Sequence, residues 1–375
     1  MRIAFDFNPV LVNRFSGLYS YGAGLLAGFE ELGEKEEFLL FYSKRFSTQA
    51  KAIKENLGDW AELKGTFIKM RHLENLWRWS DFPRLEYFTG PFDLYHCCHH
   101  LMPPTKDKPR LLTVHDLRRY KLPQLYKESK LDLFEAAVKK ADHFIAISQS
   151  TKQDLCSVFK VNENKVDVVP LASQIESVFY SDAEKSIKKT ELSEKIGQRI
   201  EEFFVVFSSP DSRKNIPKIV EAFEIAQKSL PKTLKLLVIG RLPKREADFA
   251  ERLRAGSFPN IIWAGIVDDL RPWLACAKAF IFASLYEGFG IPILEAFGCG
   301  VPVIASDCSS MPEVAGVAAL YVDPYNTESI SDAMVRICSD IEMREKLISL
   351  GLNRVREFSW KKTAAKTLDV YRKFL

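Results

Sequence analysis

Short apolar runs recur along this chain, and after most of them come a polar or glycine-containing turn and then a stretch with helical spacing. In the first half the runs are Ile3-Ala4-Phe5 and residues 38–42, 67–70, 111–114, 143–148 and 166–169. In the second half they are residues 203–207, 234–239, 260–263, 279–282, 301–305 and 320–322. Continuous runs of this length, without polar alternation, predict strands buried on both faces. Helical spacing follows at 19–32, 121–140, 150–159, 216–230, 268–277, 330–339, 341–358 and 360–375. Strand and helix alternate through both halves, so the expected fold class is α/β with parallel sheets.

A chain of 375 residues exceeds one ordinary core, and two α/β domains are expected. The charged stretch 173–200 holds no strong strand and reads as a linker with a helix. It separates an N-terminal domain, 1–172, from a C-terminal domain, 201–357. The last helix, 358–375, is expected to return to the N-terminal domain.

The chemistry concentrates where strands end. Residues 279–282 feed Ser284-Leu285-Tyr286-Glu287-Gly288-Phe289-Gly290-Ile291-Pro292, with Pro292 placed as an early helical residue. A strand, a glycine turn and a helix N-terminus make an anion site. Glu287 and Glu295 flank it. Carboxylates there would repel the anion itself, so they are expected to accept hydrogen bonds from sugar or ribose hydroxyls. Arg213 and Lys214 stand after the strand at 203–207, where a diphosphate would bind. His115-Asp116 ends the strand at 111–114, and the loop 8–18 carries Ser16-Gly17 after the first strand. A single glycine in such a loop is weak evidence for phosphate binding.

Two stretches tempt other readings. His96-Cys97-Cys98-His99-His100 offers zinc-ligand chemistry, yet adjacent strand residues point to opposite faces and no second half of a zinc site exists; a strand end before Pro103-Pro104 is the better reading. Residues 71–88 mix Trp77, Trp79, Phe82, Tyr87 and Phe88 with arginines. A helix packing its aromatics into the core is favoured there over a membrane-interface segment.

Bulk properties exclude little else. A net charge of +4 is too weak to argue for nucleic acid and suits an anionic small ligand. The acid at Asp6 argues against a signal peptide, and no apolar run is long enough for a transmembrane helix. Seven cysteines with scattered spacing fit reduced thiols, so a cytoplasmic protein is expected.

Together these motifs resemble a retaining glycosyltransferase of family 4, with the two-Rossmann-domain architecture called GT-B. Glu287 to Glu295 looks like the family's E-x7-E motif, and Pro312-Glu313-Val314-Ala315-Gly316 follows its usual continuation. Arg213-Lys214-Asn215 looks like its phosphate-binding segment, Thr113-Val114-His115-Asp116 like its T-x-H-D strand end, and Asp93-Leu94-Tyr95-His96 also fits. The resemblance implies two Rossmann-like domains facing across a cleft, an acceptor-side N-terminal one and a nucleotide-sugar-binding C-terminal one. It implies that Glu295 holds the nucleotide ribose, that Glu287 contacts the donor hexose, and that Arg213 and Lys214 neutralise the leaving diphosphate. Gly288, Phe289, Gly290, Ile291 and Leu294 complete the donor-binding stretch. His115 would contact the donor sugar or orient the acceptor, and Gly17 would let its loop close over the phosphates.

The catalytic set is thus Glu287, Lys214, Arg213 and His115, with no cofactor or metal expected and no Asp-x-Asp motif to hold one. The sequence departs from the family at Ser208-Ser209, Ala283 and Ser16-Gly17-Leu18-Tyr19, which bears on phosphate geometry and acceptor. The expected reaction moves a hexose, with mannose favoured, from GDP-mannose to a glycan or lipid-linked acceptor, and the lipid-linked case places the protein peripherally at the inner face of a membrane. A UDP-hexose is the runner-up donor. A GT-B epimerase or phosphorylase, a retaining glycosidase and a non-catalytic sugar-nucleotide-binding partner are the competing classes.

Overall fold

The computed structural model describes residues 1–12, 17–33, 36–126, 131–173 and 177–374. The chain forms two compact units, one of Met1–Ala172 with Phe358–Leu375, the other of Ser173–Glu357.

The first unit is built on a seven-stranded sheet: β1 (Arg2–Asp6), β2 (Glu37–Ser43), β3 (Ala61–Thr66), β4 (Leu94–Cys97), β5 (Arg110–Val114), β6 (His143–Ala146) and β7 (Val166–Val168). Their order is β3-β2-β1-β4-β5-β6-β7, all parallel. β1, β4, β5 and β6 are buried almost throughout, which is why their sequences are apolar runs.

The third strand differs from expectation. It is Ala61–Thr66 and not residues 67–70. As an edge strand with Glu62 and Lys64 on it, β3 carries no apolar run to read, whereas Phe67 and Ile68 lie beyond it in solvent. The loop 8–18 is also shorter than expected. A helix spans Asn8–Val12, and Gly17 is the first residue of the helix Gly17–Leu32; Ser16 lies outside the described residues. The helix read at 121–140 is broken into Arg118–Lys121, a 3-10 turn at Pro123–Leu125 and Leu131–Lys140, with 127–130 outside the described residues.

The terminal helix, Trp360–Arg372, packs against Gly17–Leu32. Glycine permits that approach: a Cβ on Gly28 would stand 2.3 Å from the Trp360 carbonyl oxygen, and one on Gly24 would fall inside the Trp360 indole. At the far end of the same helix, Tyr371 Oη lies 2.6 Å from His96 Nδ1.

The second unit holds β8 (Glu202–Ser208), β9 (Leu234–Gly240), β10 (Ile261–Gly265), β11 (Ala279–Phe282), β12 (Val303–Ser306) and β13 (Ala319–Val322). The order is β10-β9-β8-β11-β12-β13, again all parallel. The stretch read as a linker, 173–200, belongs to this unit. Its helix, Asp182–Ile196, begins at a capping box of Ser181 and Glu184, ends at Gly197 in a left-handed conformation, and buries Leu192. Residues 174–176 of that stretch lie outside the described residues.

In each sheet the strand order reverses direction once, at β1/β4 and at β8/β11. Open parallel sheets bind ligands beyond the carboxyl ends of their strands at such a reversal.

Candidate functional site

In the second unit, the two loops that leave the reversal point are those after β8 and β11, and they carry the residues the sequence singled out. After β8, Asp211 caps a 3-10 turn, Ser212–Lys214, its side chain accepting from the Arg213 amide at 3.2 Å. The turn ends at Asn215, whose φ of 61° is left-handed, a conformation asparagine tolerates better than most residues. Asn215 Nδ2 donates to the Ala283 and Pro324 carbonyls at 3.1 and 2.7 Å, tying this loop to the one after β11. The Leu285 amide donates to Arg213 O at 2.8 Å across the same gap.

Glu287 sits where these loops meet and is 7 % exposed. Its carboxylate accepts from Lys214 Nζ at 2.7 Å and from the Arg213 guanidinium. Arg213 also donates to Tyr286 O at 2.9 Å and to Asp211 at 3.2 Å, while Lys214 Nζ stands 4.5 Å from the centre of the Phe282 ring. Burial would raise the Glu287 pKa, but Arg213 and then Lys214 outweigh it and hold the carboxyl down at about 2. Burial pulls the Lys214 pKa down, against the attraction of Glu287. Glu287 is therefore ionised in ordinary buffers. The four side chains Arg213, Lys214, Glu287 and Asp211 sum to zero formal charge, so an anion here would be held by directed N–H donors of Arg213 and Lys214 together with the helix N-terminus beside them, and not by net charge.

That helix is Ile291–Gly298, with Pro292 in its first turn and Gly290 as its N-cap at φ 113°. A side chain on Gly290 would be strained by that φ and would press on Ile293 Cδ1 at 3.3 Å. The turn is braced from behind: Ser310 Oγ donates to the carbonyls of Glu287 and Phe289 at 2.9 and 2.7 Å. Gly288, Phe289 and Gly290 are buried in this turn, Ile291 is half-buried, and Leu294 is a wholly buried core side chain. The Leu294 side chain therefore offers a ligand packing behind the helix and no surface. Glu295, half-buried in the first helical turns, has its carboxyl pushed up to about 7 by desolvation, with Lys214 pulling the other way. The two carboxylates of the E-x7-E motif are thus held in opposite states: one locked as an anion, one poised near neutrality.

Asp211 and Ser310 were missed by the sequence reading, which named Asn215 only as part of the Arg213-Lys214-Asn215 segment. An Asp two residues before a basic pair is a turn-capping signal, and it marks Asp211. Nothing in the sequence marks Ser310, which acts through a fold-level contact.

In the first unit, His115 stands at the carboxyl end of β5. Its Nε2 donates to the Cys98 carbonyl at 2.9 Å, which leaves Nδ1 as the lone-pair nitrogen, and its ring packs edge-on to Tyr21 with centroids 4.8 Å apart. Burial pulls its pKa to about 4, so it is neutral and acts as an acceptor or packing group at physiological pH. Gly17 is exposed, and a Cβ there would meet nothing within 4 Å. His96 is buried in a network with Tyr371 Oη at 2.6 Å and Thr113 Oγ1 at 2.7 Å, and Thr113 in turn meets Tyr21 Oη at 2.9 Å. Burial holds His96 neutral, its pKa at about 3, and pushes the Cys97 and Cys98 thiols well up. These residues join β4, β5 and two helices. Among the described residues no three His, Cys, Asp or Glu side chains gather in a way that would hold a metal ion.

Comparison with known proteins matches both halves. Residues 48–172 fit the family model described as Glycosyltransferase Family 4, and residues 202–340 fit the one described as Glycosyl transferases group 1. The chain is 24% identical over 395 residues to O-antigen chain mannosyltransferase B of Escherichia coli, covering 99% of this chain and 100% of that protein. It is 26% identical over 290 residues to the serotype-specific mannosyltransferase WbdA of the same organism, covering 76% of this chain and 34% of that protein. Among solved structures, a glycosyltransferase from Rickettsia africae matches with a TM-score of 0.72 at 17% identity over 100% of this chain and 98% of that one. Anabaena Alr3699/HepE, in complex with UDP and glucose, matches with a TM-score of 0.70 at 15% identity over 99% of each chain. At such identities the structures speak for the fold alone, and the fold agrees with the two parallel sheets. With both halves matched and the E-x7-E turn built as described, the chain belongs to glycosyltransferase family 4, with the GT-B fold.

Proposed function

We propose that the protein is a retaining, metal-independent hexosyltransferase that moves mannose from GDP-mannose to a glycan or lipid-linked acceptor. The observation that carries this reading is the Arg213–Lys214–Glu287 cluster beside the N-terminus of Ile291–Gly298, at the strand reversal of the second unit. Two mannosyltransferase relatives support the choice of sugar.

In the step proposed, the bond from the anomeric carbon to the donor's diphosphate oxygen breaks. A bond from the acceptor oxygen forms on the same face, and the acceptor's proton passes to the departing diphosphate. Negative charge grows on the leaving oxygen. Arg213, Lys214 and the helix N-terminus are placed to meet it, supplying the stabilisation that a divalent metal supplies elsewhere. Glu287 then has two partners, the cations it already holds and a hydroxyl of the donor hexose. Glu295 takes the ribose hydroxyls. The acceptor binds the first unit, near His115. The protein acts in the cytoplasm.

The test is a calorimetric screen in which nucleotide and sugar are varied separately, followed by turnover with the donor that binds. Tightest binding of GDP-mannose, with GDP released only when acceptor is present, is the expected result. Preference for a UDP-hexose would overturn the donor, and failure to bind any sugar nucleotide would overturn the enzyme.

A further inference from the structure

Residues 67–87 of the first unit carry an unusual surface. Phe67 is 84 % exposed, Trp79 88 %, Tyr87 71 % and Phe82 62 %, and Ile68 and Leu76 are each more than two-fifths exposed. The segment is nevertheless anchored to its unit. Leu73, Trp77 and Leu85 point inward into the core; Trp77 Nε1 donates to Pro83 O at 2.7 Å, and the Leu85 amide donates to Pro104 O at 3.0 Å. The outward rings are therefore held out by a packed base.

They follow one another closely along the chain. Phe67 and Ile68 precede the helix Met70–Trp79, Leu76 and Trp79 lie three apart on its outer side, and Phe82 and Tyr87 follow it with ring centroids 5.6 Å apart. Cations are set among them. Lys44 Nζ sits 3.8 Å from the centre of the Phe67 ring, and Lys69, Arg71, Arg78 and Arg84 are exposed along the same stretch. Of the segment's acids, Glu74 lies 3.6 Å from His100, Glu86 accepts the Lys106 amide at 2.7 Å, and Asp81 attracts Lys140.

We propose that this surface docks on a bilayer that displays anionic headgroups, with the rings at headgroup level and the basic side chains on the phosphates. Trp, Tyr and Phe interleaved with Lys and Arg match the composition of membrane–water interfaces. Protein-binding interfaces deplete lysine, yet Lys44 and Lys69 stand among these rings. Among the described residues no helix is long and apolar enough to cross a membrane, so the contact is with the surface. The surface stands apart from the donor assignment: docking needs no turnover, and the rings lie in the unit that does not carry Arg213, Lys214 and Glu287.

The experiment is co-sedimentation of the full chain with vesicles of neutral phosphatidylcholine and with vesicles containing phosphatidylglycerol. Wild-type protein is expected to sediment with the anionic vesicles, less so as salt is raised. The variant Trp79→Ser/Phe82→Ser/Tyr87→Ser is expected to lose about tenfold or more in partitioning, and Arg78→Glu/Arg84→Glu to lose binding to anionic vesicles specifically. Val317→Ser, which removes an exposed apolar residue of the second unit, serves as control and should bind like wild type. Nucleotide-sugar binding, unchanged in each, shows that the fold survives. Wild-type protein left in the supernatant, equal capture by neutral vesicles, or an unaltered ring variant would overturn the proposal. So would self-association in sedimentation velocity that the ring substitutions abolish, because the surface would then belong to a second copy of the chain.

Discussion

Glu287→Gln isolates the ionic part of the donor site while keeping its shape. In the wild type the carboxylate is buried between Arg213 and Lys214, and its pKa stands at about 2 instead of the ordinary 4.5. A displacement of that size corresponds to about 3 kcal/mol of preference for the ionised form in the folded state. It agrees with the roughly 3–5 kcal/mol lost when one partner of a buried pair is removed. A depressed carboxyl stabilises the fold above its unfolded pKa, and the contribution disappears as pH falls through the folded value. The difference between wild type and Glu287→Gln should therefore be full at neutral pH, begin to shrink below about 4.5 and vanish near pH 2. Urea denaturation of both proteins across that range reads it, because carboxyls remote from this cluster titrate alike in the two and cancel. A neutral-pH difference well under 1 kcal/mol, or one that persists unchanged in acid, would falsify the account of Glu287 as a buried anion held by both cations.

Further outcomes follow from the same geometry. Lys214→Ala should lower turnover about 10²- to 10³-fold, the range for losing one charge-stabilising donor, with circular dichroism unchanged; undiminished turnover in the purified variant would remove Lys214 from the reaction. Affinity for an intact nucleotide sugar should weaken as pH drops below about 7, by up to about tenfold per pH unit, because only the ionised Glu295 accepts at both oxygens, one for each ribose hydroxyl. Glu295→Gln should flatten that profile, and a wild-type profile already flat would reassign the ribose contact. Gly28→Val should cost roughly 1–3 kcal/mol in thermal unfolding, since its Cβ would stand 2.3 Å from the Trp360 carbonyl oxygen, while Gly17→Ala should leave stability unchanged. Loss of transfer in the stable Gly17→Ala variant would mean that the glycine serves a ligand.

Much of the architecture was legible because parallel strands covered on both faces must be apolar throughout, and such runs stand out against the helical spacing between them. The edge strand β3 escaped because only one neighbour pairs with it and polar residues suffice there. The aromatic segment 71–88 was legible as an aromatic helix, but its expected direction held for only part of it. Trp77 and Phe88 pack inward, whereas Trp79, Phe82 and Tyr87 point to solvent. Helical periodicity puts Trp77 and Trp79, two residues apart, on different faces of Met70–Trp79, but it does not say which face is the core.

By itself the sequence determined the α/β class, the two-part organisation, the strand-end location of Glu287, Arg213, Lys214 and His115 and the place of Glu295 in the helix that follows, because these depend on local periodicity and on turn chemistry. Only the tertiary structure decided what those groups do to one another. The fold brings Arg213 and Lys214, remote from Glu287 in the chain, onto a single carboxylate, and hydrogen bonds from Asn215 and Ser310 hold the two loops in place. It also pushes the two glutamates of one motif in opposite directions, since two cations outweigh burial at Glu287 whereas desolvation outweighs Lys214 at Glu295. Charge coupling falls off over a few ångströms of space, and the sequence records only separation along the chain.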